Sequence, residues 1–585
     1  MTGRGRAATP GPSVVSGASY TPGMRRLEPP LVLLGYGLAS LVLIGRHLLR
    51  APADAVIGSF GADQGFFAWS LVHWVEVLRL AQAPFLSDRI DAPVGFNLAW
   101  ATTIPGPALL LAPVTALAGP LASYNALALA APALAAWTAY LLARHLTGDP
   151  VAAILGGWAF GFSSYLLGQT LNHVNLALVW ALPLIVLVAV RLIEGSVRRQ
   201  RGVLALAALV GLQYLTFTEV AATATLVGVL ALGLAVALGG ADLRGRIVRT
   251  LPWLGAGYAL GVLIASPLIL AALLRPNPIS GRIRPDLFPL DLANVLVPTR
   301  ITWLGGGRFA ERSAEFAGNL TEQLGYMGPL LLVVAALGWI RWRDRPITTV
   351  IGLAALAAGV LALGGRLTID GVPGGWMPWS EIERLPLIGL ALPGRIVVYA
   401  WLGAALLVAL FAARRSDADR LRPARVGVAT LALVLLLPVQ DGRWWRTPLE
   451  TPPGIASGSA TADIADDAIV LTLPYSFRGN GMYWQARDRM RWRQAGSYSA
   501  AAVPTAYANL PIMDALYGGS LPPNAPSALL DYLALTGTEW VLIDGRRPGP
   551  WTGLLREVGG ERSDVGGVVR FRFDPARVRA QADGA

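Results

Sequence analysis

The chain of 585 residues contains no cysteine. That absence excludes thiol nucleophiles, thiolate zinc sites, cysteine-ligated iron–sulfur clusters, disulfides and haem attached through thioethers. Lysine is also missing, so every basic side chain apart from histidine is arginine. Without lysine there is neither the phosphate-binding lysine of a nucleotide loop nor a Schiff-base amine, which argues against an ATP-driven pump that carries its own motor. Charge is scarce as well: 14% of residues are charged against 54% hydrophobic, with a mean hydropathy of +0.52. Such a composition belongs to the membrane class. No internal repeat of about 20–50 residues is visible.

What is present falls into blocks. Many apolar runs approach the ~20 residues that cross a bilayer as helix. The net charge of +12 would raise the question of nucleic acid in a soluble chain. Here the arginines sit in short runs between apolar blocks, as the orientation rule for cytoplasmic loops requires, and no nucleic-acid partner is expected.

Residues 1–29 lack periodicity and read as a disordered cytoplasmic tail. The apolar run 30–49 after Arg25-Arg26 has no small-residue cleavage site behind it, so it reads as an uncleaved first helix with its N-terminus inside. The fold class expected is an α-helical polytopic membrane protein of about eleven spans. Its membrane domain covers 30–440, with a first outer loop 50–120 and later outer loops 275–326 and 364–393. Arg144-His145, Arg198-Arg199, Arg244, Arg341 and Arg414-Arg415 then all face the cytoplasm, provided that 105–118 lies in or re-enters the outer surface rather than spanning it. Residues 441–585 have soluble composition and form a small extracytoplasmic α/β domain, with strand-like runs 468–474, 540–544 and 568–573. Gly157-x-x-x-Gly161 and Gly255-x-Gly257-x-x-x-Gly261 read as close helix contacts, since no strand precedes either.

Ionisable groups beside the membrane are costly and invite a functional reading. The leading one is Asp63, in Gly61-Ala62-Asp63-Gln64, which runs into Phe66-Phe67-Ala68-Trp69. Glycines on both sides let the backbone bend and a substrate approach; the ordinary account is a helix-capping carboxylate. Ser70, His73, Glu76 and Arg79 recur every third residue along the following stretch, as on an interfacial helix. Asp54 lacks neighbouring glycines and ranks lower. Further along the same loop, Asp88, Asp91 and Asn97 could bind an acceptor or a metal, or be solvated charges around Arg89. Glu219 and Glu322 are outer-side acids adjoining spans, and Glu322 could simply favour a helix N-terminus. Tyr483-Trp484-Gln485 and Trp492 could stack on sugar rings or pack in a core.

This layout of first span, acid-bearing loop, aromatic helix, many spans and outer C-terminal domain resembles the GT-C superfamily of membrane glycosyltransferases. Protein mannosyltransferases and the aminoarabinose transferase of lipid A are examples. Asp63 matches the family's first acid and Phe66-Phe67 its aromatics, whereas Gln64 replaces the second acid. The resemblance runs from about residue 30 to 439. It implies a polyprenyl-phosphate-linked sugar donor, a glycan, lipid or protein acceptor, and an inverting displacement with Asp63 as general base. By order and topology, Asn172 and His173 stand where relatives carry a second polar active-site residue, and His173 is equally readable as an interfacial hydrogen-bonding side chain. The missing second acid leaves metal dependence open, with room for a divalent cation such as Mg or Mn. A departing phosphate requires fixed positive charge, which here falls to arginine. Arg395 is preferred because a span begins just after it, followed by Arg275 and Arg300. The setting implied is the cytoplasmic membrane of a bacterium, among membrane lipids, in envelope assembly. Two rivals stand beside this reading. One is a transporter or flippase of a lipid-linked saccharide, against which the scarcity of mid-span acids and histidines counts. The other is a non-catalytic assembly partner, for which Gln64 leaves room.

Overall fold

A computed structural model describes residues 22–50, 55–58, 61–275, 279–280, 285–385, 388–449, 451–498 and 503–584. Every stretch read as a span carries a helix. Five are long and apolar enough to cross a membrane: Pro120–Thr147, Val174–Glu194, Thr218–Leu238, Ala241–Ile264 and Pro393–Ala412. Pro150–Gly161 and Ser164–Asn172, bent by 42°, make a sixth if taken together. Leu27–Leu43, Gly328–Arg341 and Pro346–Ala362 are shorter apolar helices. The Arg199–Thr216 helix spends its first turn on Arg199 and Arg201. The protein is thus a multi-pass helical membrane protein.

The first helix starts at Pro22, so residues 22–29 are helical rather than an irregular tail. The reason is tertiary: the Glu28 carboxylate accepts hydrogen bonds from Tyr140 Oη at 2.7 Å and Arg144 Nε at 2.9 Å, which ties this turn to the Pro120–Thr147 helix. Residues 105–118 form two short helices, Pro105–Leu110 and Ala112–Ala118. At about 1.5 Å per residue neither approaches the ~30 Å of a bilayer core.

The Val397–Ala412 helix is the hub of the bundle. Every one of its residues is buried, because its sequence is apolar all round. Close approach of its neighbours depends on glycine: a Cβ at Gly338 would lie 2.1 Å from Leu407 O, and one at Gly157 would lie 2.5 Å from Ala136 O. In the two glycine motifs, Gly157, Gly161, Gly257 and Gly261 sit where a Cβ would press on a neighbouring helix, whereas Gly255 faces nothing within 4 Å.

The C-terminal region holds a five-stranded sheet in the order Glu561–Val565, Val568–Arg572, Trp540–Asp544, Ile469–Leu473, Arg493–Gln494. The two central strands, Trp540–Asp544 and Ile469–Leu473, run parallel and are buried throughout, as a sheet covered on both faces requires. Residues from the acid-bearing loop join this domain. Ala92 N donates to Gln494 O at 2.8 Å, Gln494 N donates to Arg89 O at 2.9 Å, and Ala92 lies in the domain's core. A second seam pairs Ala55 with Pro448 and Val56 with Thr447.

Candidate active site

Five turns of the membrane domain meet at one end of the bundle, and the C-terminal domain closes over them. Asp63 lies in the first turn of the Gly61–Leu80 helix. The next residue, Gln64, is fully buried, and its Nε2 donates to Leu171 O at 2.8 Å, fastening the start of this helix to the end of Ser164–Asn172. Gly58 makes the approach feasible: its φ is +128°, and a Cβ there would lie 2.1 Å from Leu171 O. The Gln64 amide is thus a structural fastener.

From Asp63 a line of polar side chains runs inward. Tyr498 Oη donates a hydrogen bond to Asp63 Oδ1. His173 Nε2 lies 3.5 Å from Asp63 Oδ2. The same ring's Nδ1 is 2.8 Å from Gln169 Oε1 and 3.8 Å from Glu322 Oε1. Arg395 Nε donates to both oxygens of Glu322 at 3.1 Å, and its Nη1 donates to Glu219 Oε2 at 2.9 Å. Glu219 Oε1 accepts from Leu392 N at 3.2 Å.

Burial pushes the Glu322 carboxyl upward, but Arg395 and His173 outweigh it and hold the group below the usual carboxylate range, so it stays ionised. Burial, followed by the negative charge of Asp63, pushes the Tyr498 phenol well above its ordinary value, which keeps it a proton donor. The Asp63 and His173 side chains remain 20% and 19% exposed, whereas Glu322 keeps 5%. Asp63, at 20%, is the most exposed carboxylate of this line, ahead of Glu219 at 15%, and among the described residues no hydrogen bond is made to its Oδ2 while Oδ1 is taken by Tyr498.

The structure brings Asp63, His173, Glu219, Glu322 and Arg395 together, although Glu219 and Glu322 are some hundred residues apart in the chain. It corrects several expectations. Arg395 does not present an open fork to phosphate: its Nε, Nη1 and Nη2 donors are all engaged with the two glutamates. Glu322 does not cap a helix, since the next one begins only at Gly328 and its partner is Arg395. Asp91 is neither a solvated charge nor part of the line. It is buried, accepts from Ser497 Oγ at 3.0 Å, and burial pushes its carboxyl to about 7. Asn97 caps a short turn through Ala99 N at 3.0 Å and donates to Ala271 O at 2.8 Å, which is structural work. Asn172 ends its helix beside His173. Arg275 and Arg300 are exposed, and neither makes an ion pair with a described residue. Tyr483, Trp484 and Trp492 are buried, so they pack the domain against the Gly61–Leu80 helix rather than offering a sugar platform; Gln485 Oε1 accepts from Trp69 Nε1 at 2.7 Å within that contact. Asp54 lies outside the described residues.

Sequence reasoning missed Tyr498. It sits in Gly496-Ser497-Tyr498, which carries no motif, and reaches Asp63 from 435 residues away. Among the described residues no three histidine, aspartate or glutamate side chains converge to hold an ion, and the neighbour of Asp63 is an amide.

No family model matches the chain, and no curated protein does. Solved structures do. The fold is similar to the cryo-EM structure of the arabinofuranosyltransferase AftD from Mycobacteria, with a TM-score of 0.57 and 13% identity over 93% of this chain. It is also similar to the oligosaccharyltransferase of Archaeoglobus fulgidus in its complex with Zn and sulfate, with a TM-score of 0.51 and 14% identity over 92% of this chain and 73% of that one. The chain spans only 40% of the length of AftD. Both are members of the GT-C superfamily, and at such identities the likeness is one of fold. The chain shares its overall fold with these two structures.

Proposed function

We propose that the protein transfers a sugar from a polyprenyl-phosphate-linked donor to an acceptor hydroxyl at the outer face of a bacterial cytoplasmic membrane, by inverting displacement with Asp63 as general base. The observation that carries this reading is the half-open Asp63 carboxylate, with His173 beside Oδ2, at the head of the first loop of a GT-C fold. The acceptor oxygen attacks the anomeric carbon, the bond from that carbon to the phosphate oxygen breaks, the hydroxyl proton passes to Asp63 Oδ2, and the lipid phosphate leaves as an anion. General-base assistance of this kind contributes roughly 10²–10⁴-fold. His173, with Nδ1 held by Gln169, keeps its ring edge against Oδ2 and sets the direction from which the hydroxyl arrives.

The line from Glu219 to Asp63 holds more carboxylates than guanidinium groups, so the departing phosphate is better served by a cation outside it. Arg275 and Arg300, exposed and without ion pairs among the described residues, fit that role better than Arg395. In this reading the N-terminus faces the cytoplasm and the C-terminal domain lies outside.

The test is transfer or hydrolysis by the full chain in proteoliposomes supplied with a panel of polyprenyl-phosphate-linked pentoses and hexoses. Asp63→Asn is expected to reduce turnover at least about 10²-fold while leaving the protein folded. Undiminished turnover in that variant would end the proposal. Translocation of the lipid-linked sugar without a new glycosidic bond, or release of sugar by no member of the panel, would favour the flippase or assembly reading instead.

A further inference from the structure

The C-terminal domain is more than a cover. Tyr498 belongs to it, yet the phenol hydrogen-bonds Asp63 Oδ1 and its ring stands edge-on to Phe66, 6.4 Å between centroids, one turn along the same helix. What holds Tyr498 in place is its neighbour: Ser497 Oγ donates to the buried Asp91 carboxylate at 3.0 Å. Asp91 comes from the acid-bearing loop, and its position is fixed in turn by Tyr507 Oη, which donates to Asp91 O at 3.2 Å and Ala92 O at 3.0 Å, and by the Ala92–Gln494 backbone bond. A latch between loop and domain therefore sits one residue from the contact on Asp63.

From this geometry we infer that Tyr498 is a positioning residue for the Asp63 base, and that the Asp91–Ser497 latch delivers it, so that the site is complete only when the C-terminal domain is docked. The inference rests on Asp63 being the base. Tyr498 occupies Oδ1 and so commits Oδ2 to the acceptor hydroxyl. Among the described residues, the other titratable groups facing Asp63 are His173, which caps the end of the Ser164–Asn172 helix, with Glu322 behind it, and Tyr124 from the Pro120–Thr147 helix. Asp91 faces Ser497 and the phenols of Tyr475, Tyr507 and Tyr532, and burial pushes its carboxyl to about 7.

The experiment compares Tyr498→Phe, Ser497→Ala and the double variant in the full chain, measuring kcat and KM separately on the polyprenyl-phosphate-linked sugar panel. Tyr498→Phe is expected to lower kcat about tenfold with KM little changed. Ser497→Ala should give a smaller loss of the same kind and none beyond that of Tyr498→Phe in the double variant. Hydrogen exchange of residues 61–66, which needs no substrate, should speed up in both single variants. A Tyr498→Phe protein with wild-type kcat and wild-type exchange overturns the inference, as do additive losses in the double variant. Failure of the base reading itself shows differently, as undiminished turnover in Asp63→Asn.

Discussion

Two arginine–carboxylate clusters sit at opposite ends of the bundle and are built in inverse proportion. At the site end, one guanidinium, Arg395, is shared by two carboxylates, Glu219 and Glu322. At the other end, one carboxylate, Asp419, is shared by two guanidiniums: Arg341 at 2.7 Å and Arg425 at 2.5 Å. Arg415 pairs with Asp344 there, and Arg345 stacks over the Trp342 ring at 4.1 Å. The first cluster is left with an excess of negative charge, and the second with an excess of positive charge. An arginine-rich end with partly exposed side chains suits a membrane surface and the orientation rule. A carboxylate-rich end suits a base that must accept a proton, but needs its phosphate-binding cation supplied from elsewhere. The contrast shows that counting arginines near a span does not say which of them is free.

The largest effect expected from breaking the contrast is at Arg395. Arg395→Ala leaves two buried carboxylates without a partner and should destabilise the protein by about 3–5 kcal/mol, read as loss of thermal stability in detergent. Glu322→Gln keeps the shape and removes one charge. It should destabilise by roughly 1–3 kcal/mol and lower turnover by loosening His173.

Asp91 offers a pH test. Its folded-state value of about 7 lies above the ordinary carboxylate value, so the unfolded chain binds fewer protons than the native one between about pH 4 and 7. Stability from this group therefore falls as pH rises through that window, by at most about 1.4 kcal/mol per pH unit. Asp91→Asn should flatten the dependence in an unfolding series across pH 4–8. A slope unchanged by the substitution would show that Asp91 titrates normally.

Asp419 behaves in the opposite sense. The hydrogen bond from Arg425 outweighs burial and holds its carboxyl at about 2, so the stabilisation is present above pH ~4 and is lost as pH falls towards 2. Because the cluster is at the surface, Asp419→Asn should cost only about 1 kcal/mol at neutral pH, and less in high salt, as measured by thermal unfolding.

Much of the architecture is legible in the residues alone. Blocks of apolar side chains near bilayer length, arginine runs between them and three strand-like segments after residue 463 are local patterns, and each reappears as a helix, a cluster or a strand. Asp63, Glu219, Glu322, His173 and Arg395 could be singled out because ionisable groups beside apolar runs are rare and costly. Their partnerships could not. Whether Arg395 faces phosphate or glutamate, whether Asp91 is solvated or buried, and whether Trp484 stacks on sugar or packs a core depend on side chains that meet across 73 to 435 residues of chain. No periodicity or spacing encodes such pairings. They arise when helices close-pack and polar groups excluded from lipid must find one another, and for that reason tertiary structure alone determined which carboxylate stayed free.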